Sequence, residues 1–257
     1  MDEMVRKLRQ KVMKNDDDKR NAKECVQPEK LRKIALAVNE STSIGGDHVT
    51  FKEIAAAPHE ALQELSDVYE EVIDEVALPN HALVNLMSML GKKAGGSRCI
   101  AVGTTFCRLL MMALNPMART WDSEVGSEFD SALTGKSPLM ETIKRMILVE
   151  DAELRGHTAV LTMWDIEKFF DTIDLEVLFS QADKMAFPQI VLALGINLHR
   201  APRVQRVLGT CAEPISQMGR SILAGCTLST SFARAFLRAA TEGMSQRKVS
   251  QWSPHAH

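Results

Sequence analysis

Three short apolar runs limit the fold that this chain of 257 residues can adopt. They are Leu83 to Leu90, Cys99 to Val102 and Thr158 to Trp164, and glycine, proline or charged residues lie close to each of them. Runs of this length suit strands, although the Leu- and Met-rich first run fits a helix equally well. Apolar residues at helical spacing occupy much of the remaining chain. The sequence therefore predicts an α+β fold with a small sheet and many helices.

Apolar spacing and capping residues predict where the helices lie. The helices are expected at His59 to Val76, at Phe106 to Leu114 with an end near Pro116, after Ser137 and Pro138, from near Asp174, and from Ser229 to about Gly243. Ser137 suits the N-cap and Pro138 the first turn. In that helix Leu139, Ile143, Met146 and Ile147 are expected to face the core. An acidic loop is expected before it, around Asp122 to Asp130.

Composition favours a folded protein and leaves its partner open. With 45% hydrophobic and 25% charged residues the chain can bury a core, while a formal net charge of -2 gives no general reason to bind a polyanion. The charge is uneven, however. Glu60 to Glu75 carries seven acids and no Lys or Arg, whereas Leu198 to Lys248 carries eight bases and two acids. A nucleic-acid surface would therefore depend on local charge.

The cysteines and the N-terminus indicate an intracellular protein. The five cysteines are scattered and form no CxxC pair, which argues against a disulfide framework and against a zinc site. The first ten residues are charged and have no apolar core, and the apolar stretches are too short to span a bilayer. We expect a cytoplasmic or nuclear protein without a secretory signal or membrane span.

The segment from Trp164 to Asp174 carries the clearest chemical signal. The predicted strand ends at Asp165, and Phe169, Phe170 and a helix follow it closely. A carboxylate at a strand end suits an oxygen ligand for a hard cation at the edge of a cleft. The alternative is that Asp165 is a turn residue and that both phenylalanines belong to the core.

The string DIEKFFDTI, which begins at Asp165, resembles the first palm motif of reverse transcriptases of the group II intron and non-LTR retrotransposon type. The resemblance implies that Asp165 binds catalytic Mg²⁺ and that the carbonyl of Ile166 assists. It also implies that Phe170 is a steric gate against a ribose 2′-hydroxyl. Asp171 and Asp174 are expected to be solvated or capping residues.

Upstream, the string GKKAGGSRCI from Gly91 resembles the fingers turn of the same family. The resemblance implies that Lys92 or Lys93, together with Arg98, contacts the triphosphate of the incoming nucleotide. A solvated hairpin turn is the alternative. The stretch from Gly126 to Ile143 also resembles the loop and helix that precede the palm in this family.

Downstream, the string SILAGCTLST from Ser221 resembles the second palm motif, with Gly225 and Cys226 at its glycine and small-residue positions. The resemblance implies that Gly225 allows close approach to the template base or the nucleotide. Ala224 and Thr227 depart from the family's usual Gln and Pro. The alternative is a loop that contains a glycine and leads into a buried helix.

Together these motifs cover roughly Leu83 to Leu237 and imply a right-hand polymerase fold with fingers, a partial palm and a small antiparallel sheet. The expected regions are a helical or partly ordered arm (1–58), a fingers-like region (59–157), a partial palm (158–245) and a polar tail (246–257). The implied function is template-directed DNA synthesis from RNA. The implied cofactor is Mg²⁺, and the implied partners are an RNA template, a DNA primer and deoxynucleotides.

The family's next palm motif, a pair of adjacent aspartates, does not occur after Gly243. Two-metal phosphoryl transfer needs several carboxylates, so we expect this chain by itself to have little or no polymerase activity. One alternative is a non-catalytic nucleic-acid-binding relic of a retroelement. Another is a helical protein-interaction domain that uses the acidic segment from Glu60 to Glu75. None of the histidines has metal-ligand spacing, and none is assigned a role.

Overall fold

The computed structural model describes residues 3–91, 93, 95–126, 133, 135–160, 166–207, 210–216 and 218–245. Its helices are α1 (Glu3–Val12), α2 (Asp16–Cys25), α3 (Pro28–Ala37), α4 (Phe51–Ala56), α5 (His59–Glu75), α6 (Thr105–Val125), α7 (Pro138–Leu154), α8 (Phe169–Thr172), α9 (Leu175–Lys184), α10 (Gln189–Arg200) and α11 (Ser229–Ser245). Its strands are β1 (Asn85–Gly91), β2 (Ser97–Val102), β3 (Arg203–Val207) and β4 (Thr210–Cys211). The protein is therefore helix-rich α+β, as the sequence predicts.

The described strands form one sheet in the order β2-β1-β3-β4. β1 and β2 are an antiparallel hairpin in which Met87 lies opposite Ala101. β1 and β3 are parallel, with Leu86 opposite Val204, and β3 and β4 are antiparallel. The described sheet is small, as expected, but it is mixed and not antiparallel throughout. The helices from α6 to α10 lie in the long connection that the parallel pair of β1 and β3 requires.

The strand predicted at residues 158–164 is not formed by those of its residues that the structure describes. Residues 158–160 have no regular secondary structure, and Val160 is 85% exposed, while residues 161–165 lie outside the described residues. The edge of β1 that does not face β2 is occupied by β3 instead. The apolar residues of 158–160 therefore have no place in the described sheet beside β1.

Helix α6 continues past the proline that was expected to end it. Thr104 caps its N-terminus, and Pro116 lies inside it. Beyond the proline, Ala118 and Trp121 are buried, and Trp121 Nε1 donates a hydrogen bond of 2.9 Å to the carbonyl of Met185. Burial on this scale offsets a proline penalty of about 3 kcal/mol. Of the acidic loop expected around Asp122 to Asp130, residues 122–125 belong to α6, and residues 127–130 lie outside the described residues.

Helix α7 begins as predicted and faces the opposite way from the prediction. The Ser137 hydroxyl accepts a hydrogen bond from the amide of Met140, and Pro138 follows in the first turn. The apolar residues expected in the core are exposed, as are two further positions: Leu139 68%, Ile143 39%, Met146 57%, Ile147 58%, Leu148 67% and Leu154 88%. Amphipathic spacing predicts that these apolar residues share one side of the helix, and it does not predict whether that side packs on the core.

Helix α10 lies at the centre of the core and is buried along nearly its whole length. A Cβ on Gly195 would lie 2.4 Å from the ring of Phe232, so this glycine lets α11 approach α10 closely. The N-terminal helices join the same core through Leu8, Val12 and Leu31. Helix α1 packs on α10, and α3 packs on α5 and α6.

The acids of α5 are partly matched by bases from the N-terminal helices. Arg9 forms an ion pair with Glu75 at 2.9 Å, and Lys23 forms one with Asp74 at 2.6 Å. Lys19 donates to the carbonyl of Asp74 at 2.9 Å. The negative run in the sequence is therefore partly an internal docking surface. Among the described residues, no helix is long and apolar enough to cross a membrane.

We predict that Leu8→Ala lowers the free energy of unfolding by about 2–5 kcal/mol, because the side chain is 1% exposed and its loss leaves a cavity. Met13→Ala is the matched control, since Met13 follows the same helix and is 48% exposed. Urea denaturation of both variants measures the difference. Equal stability of the two variants would show that α1 is an unattached arm.

Candidate functional site

The loop of residues 219–228, which precedes α11 and is called the Gly225 loop, packs against strand β2 of the β1–β2 hairpin. The amide of Ala101 donates a hydrogen bond of 3.1 Å to the carbonyl of Ala224. Gly225 has a φ of 115°, and a Cβ at this position would lie 2.9 Å from the carbonyl oxygen of Ala101. Glycine is needed here both for the backbone conformation and for the close approach of two backbones.

The segment that follows Asp165 lies beside the segment that precedes Gly225. The amide of Ser221 donates to the carbonyl of Ile173 at 2.8 Å, and the amide of Ile222 donates to the carbonyl of Phe170 at 2.9 Å. One turn further on, the amide of Leu175 donates to the carbonyl of Gly219 at 3.1 Å. Two of the motifs found in the sequence are thus adjacent in space, and the Gly225 loop connects them to the hairpin of the third.

A buried polar network fixes this junction. The Arg203 guanidinium donates to the Ser221 hydroxyl at 2.9 Å and to the Ser221 carbonyl at 3.0 Å. The Ser221 hydroxyl donates to the Asp171 carboxylate at 3.3 Å. Burial lowers the pKa of Arg203, and the negative charge of Asp171 opposes that shift. Asp171 is therefore part of the support of the loop, whereas Asp174 caps α9 as expected.

His199, in the last turn of α10, also holds the Gly225 loop, and sequence reasoning missed it. Its Nδ1 accepts a hydrogen bond of 2.7 Å from the amide of Leu223. Burial lowers the pKa of His199 to about 3, so the imidazole is neutral and its proton is on Nε2. The only signal in the sequence was its position in the last turn of an apolar helix, which does not distinguish a positioning residue from ordinary core.

The structure describes the predicted site residues to different extents. Asp165 and Lys92 lie outside the described residues, and of Arg98 only the backbone, in β2, is described. Lys93 is exposed in the hairpin turn, and Ile166 is 48% exposed.

Phe170 is partly buried and packs against Phe169, with ring centroids 5.9 Å apart. Its role as a steric gate stays a prediction. Cys226 also packs against the core, and burial raises the pKa of its thiol to about 11. The thiol is therefore protonated near neutral pH and unsuited to nucleophilic chemistry.

Two clefts flank the Gly225 loop, and Thr227 lines both. The smaller, about 190 Å³, lies between the loop, β2 and α6. The larger, about 340 Å³, lies between the C-terminal half of α6 and the start of α11. Its charged and hydroxyl-bearing lining residues are Arg119, Asp122, Ser123, Lys136, Thr227, Thr230, Ser231 and Arg234. We call this larger space the polar cleft.

The polar cleft has an internal ion pair, and its described lining residues include more bases than acids. Asp122 and Arg234 are 2.5 Å apart, with side chains 13% and 9% exposed, and the Ser231 hydroxyl donates to Asp122 at 2.7 Å. Arg119 and Lys136 add two further cations to the lining. The N-terminal turn of α11 also reaches the cleft through Thr230 and Ser231, and the amides of such a turn favour anions.

Among the described residues, no group of three or more His, Cys, Asp or Glu side chains could hold a metal ion. The expected Mg²⁺ ligand Asp165 is outside that set, so no catalytic step can be derived through a metal. Comparison of the sequence with models of known protein families gives no match, and comparison with curated proteins gives none either. Geometry alone therefore bears on the function.

We predict that Gly225→Ala destabilises the protein by about 1–3 kcal/mol, because alanine disfavours the backbone conformation and its Cβ would press on Ala101. Gly219→Ala is the matched control in the same loop, since a Cβ there meets no atom within 4 Å. Urea denaturation of both variants measures the effect. A similar loss for both would argue against close packing of the loop on β2.

We predict that His199 makes stability depend on pH. Its folded pKa of about 3 lies below the ordinary value of 6.5, so its contribution is present above pH 6.5 and is lost as the pH falls toward 3. Between pH 7 and pH 5 the wild type should lose about 2 kcal/mol more than His199→Asn, whose amide oxygen can accept from Leu223 without titrating. Urea denaturation at both pH values measures this difference, and equal losses would contradict the assignment.

Proposed function

We propose that this chain is a reverse-transcriptase-like nucleic-acid-binding domain in which the polar cleft holds backbone phosphates of an RNA or DNA strand. The observation that carries the proposal is the position of a cation-lined cleft directly beside the Gly225 loop. The same loop is hydrogen-bonded to β2 and continues from the segment paired with residues 170–173. A strand in this cleft would pass the loop that the resemblance links to the template.

The proximity of the three motif segments in the fold supports the proposed relation to polymerases. A right-hand polymerase must bring the end of its first palm motif, the glycine loop and the fingers turn around one groove. Residues 170–173, residues 221–225 and β2 are contiguous through main-chain hydrogen bonds. Three short strings that matched by accident would have no reason to be neighbours in the folded chain.

The charge in the polar cleft supports a phosphate ligand. Among the described lining residues, three cationic side chains accompany one carboxylate, and that carboxylate is held by Arg234 and Ser231. Guanidinium and ammonium groups at a helix N-terminus are a common phosphate-binding arrangement. Phosphate contacts dominate nucleic-acid affinity and are independent of base sequence.

The basic C-terminal third is a weaker guide than the sequence suggested. Arg203 is buried beneath Ser221, and Arg234 is 9% exposed beside Asp122. These two arginines stabilise the fold as well as contributing charge. We therefore propose that nucleic acid contacts the polar cleft and not the whole Arg-rich segment. Arg119 of α6, which lines this cleft, is exposed.

DNA synthesis is the reaction that the resemblance implies, and Asp165 is the residue proposed to bind its metal ions. The chain carries no adjacent aspartate pair in the region after Gly243. Because several carboxylates are needed to hold two metal ions, these 257 residues are proposed to bind nucleic acid without completing the reaction by themselves. A non-catalytic nucleic-acid-binding module is the alternative form of the proposal.

A protein-interaction role for acidic α5 has less support. Glu70, Asp74 and Glu75 face bases of α1 and α2, at distances between 2.6 and 3.8 Å. A surface that already docks two helices of its own chain offers fewer charges to a partner.

We predict that the protein binds labelled single-stranded RNA with an affinity that falls steeply with salt, and that Arg119→Ala weakens binding. Loss of one phosphate contact should lower the slope of log K against log salt by about 0.7. Fluorescence anisotropy at several salt concentrations measures both quantities. Arg6→Ala is the matched control, because Arg6 is exposed in α1 and does not line the cleft.

Absence of RNA and DNA binding at low salt would contradict the proposal. Equal effects of Arg119→Ala and Arg6→Ala would move the contact away from the polar cleft. Primer extension by the same preparation, abolished by Asp165→Ala, would favour a polymerase over a non-catalytic module.

A further inference from the structure

Helix α7 presents an apolar stripe to solvent. Leu139, Ile143, Met146, Ile147 and Leu154 fall within an arc of about 100° around the helix, given 100° per residue. Their side chains are between 39% and 88% exposed. Glu150 interrupts the stripe between Ile147 and Leu154. An exposed apolar surface of this size on a helix marks an interaction site more often than a solvated face.

The stripe is accessible in the described structure, because no residue from 139 to 154 of α7 is buried. Glu141 and Ala152 lie on the side of the helix away from the stripe and are partly exposed, whereas Leu148 on that side is 67% exposed. The Glu141 side chain is 15% exposed. Another molecule can therefore reach the stripe.

The stripe is nearly symmetric about its middle. Its central residues are the neighbours Met146 and Ile147, and Leu139 and Leu154 lie at equal distances from them toward the two ends. A two-fold axis through the centre would pair Leu139 with Leu154 of a second copy, and the reverse. Such reciprocity is what a two-fold interface between identical chains requires.

The charges on α7 favour an antiparallel pair. Its second half carries Glu150, Asp151 and Glu153, whereas its first half carries Lys144 and Arg145 together with Glu141. An antiparallel arrangement sets the acidic half of one helix against the basic residues of the other, and a parallel one would bring the acids together. Lys144 and Asp151 lie along the same edge of the stripe, so antiparallel packing brings Lys144 near Asp151 of the second copy.

We propose that two copies of this chain associate through an antiparallel α7–α7 contact centred on Met146 and Ile147. The area is small for a stable dimer, so we expect a dissociation constant on the order of micromolar. Glu150 is the charged residue within the stripe, and it would face Ile143 of the second copy. Its desolvation limits the affinity.

Sedimentation velocity over a range of protein concentrations tests the proposal. The wild type should shift from monomer to dimer, and Met146→Glu/Ile147→Glu should stay monomeric at every concentration. Leu148→Glu is the matched control, since Leu148 is 67% exposed on the same helix and lies outside the stripe. It should dimerise like the wild type, and circular dichroism should show unchanged helix content in all three proteins.

Two further variants separate the proposed pairing from a general effect of surface charge. Glu150→Leu should tighten the dimer about tenfold, because it replaces the buried carboxylate with an apolar side chain. Lys144→Glu should weaken it a few-fold, and Lys144→Glu/Asp151→Lys should restore it. Both residues also have partners within α7, Glu141 at 2.8 Å and Arg155 at 3.0 Å, so helix content is measured alongside.

A wild type that is monomeric throughout would overturn the proposal. So would equal behaviour of Leu148→Glu and Met146→Glu/Ile147→Glu, or growth beyond a dimer.

Discussion

The main-chain hydrogen bonds between residues 170–175 and residues 219–222 are the constraint on which the candidate site depends. They join two segments about 50 residues apart, and side-chain hydrogen bonds stabilise the junction, a buried one from Arg203 to Ser221 and a partly buried one from Ser221 to Asp171. Ser221 takes a φ of 82°, a conformation that costs on the order of 1 kcal/mol in a non-glycine residue. The hydrogen bonds from Arg203 to Ser221 offset this cost. His199 holds the following part of the loop by accepting a hydrogen bond from the amide of Leu223.

Charge is used in two ways in this protein. Bases of α1 and α2 dock on the acids of α5, and Arg203 and Arg234 stabilise the interior beside Ser221 and Asp122. The charge that we propose to face a ligand is a smaller set around the polar cleft, next to the start of α11. A formal net charge of -2 is thus compatible with a local anion site, because acids and bases that pair within the fold leave the charge of one cleft different from that of the whole chain.

Local signals in the sequence were sufficient to predict where many helices and strands lie. They were insufficient to predict which elements pack or pair with one another. The Ser137 cap of α7 depends on neighbouring residues and was predicted. For the β1 segment the sequence left strand and helix open, and for Asp174 it left a solvated and a capping role open; the structure shows a strand and a cap. The parallel pairing of β1 with β3, the continuation of α6 past Pro116 and the outward face of α7 depend on tertiary packing and were not predicted. His199 is the clearest case, because only the fold brings a lone histidine beneath the amide of Leu223.

The most direct test of the account is to crosslink a photoreactive RNA to the protein and to identify the modified peptides by mass spectrometry. If the polar cleft and the Gly225 loop form the nucleic-acid surface, the crosslinks should concentrate in the second half of α6 and at the start of α11, near Arg119, Thr227 and Thr230. Crosslinks confined to α5 and the N-terminal helices, or scattered evenly over the chain, would contradict it.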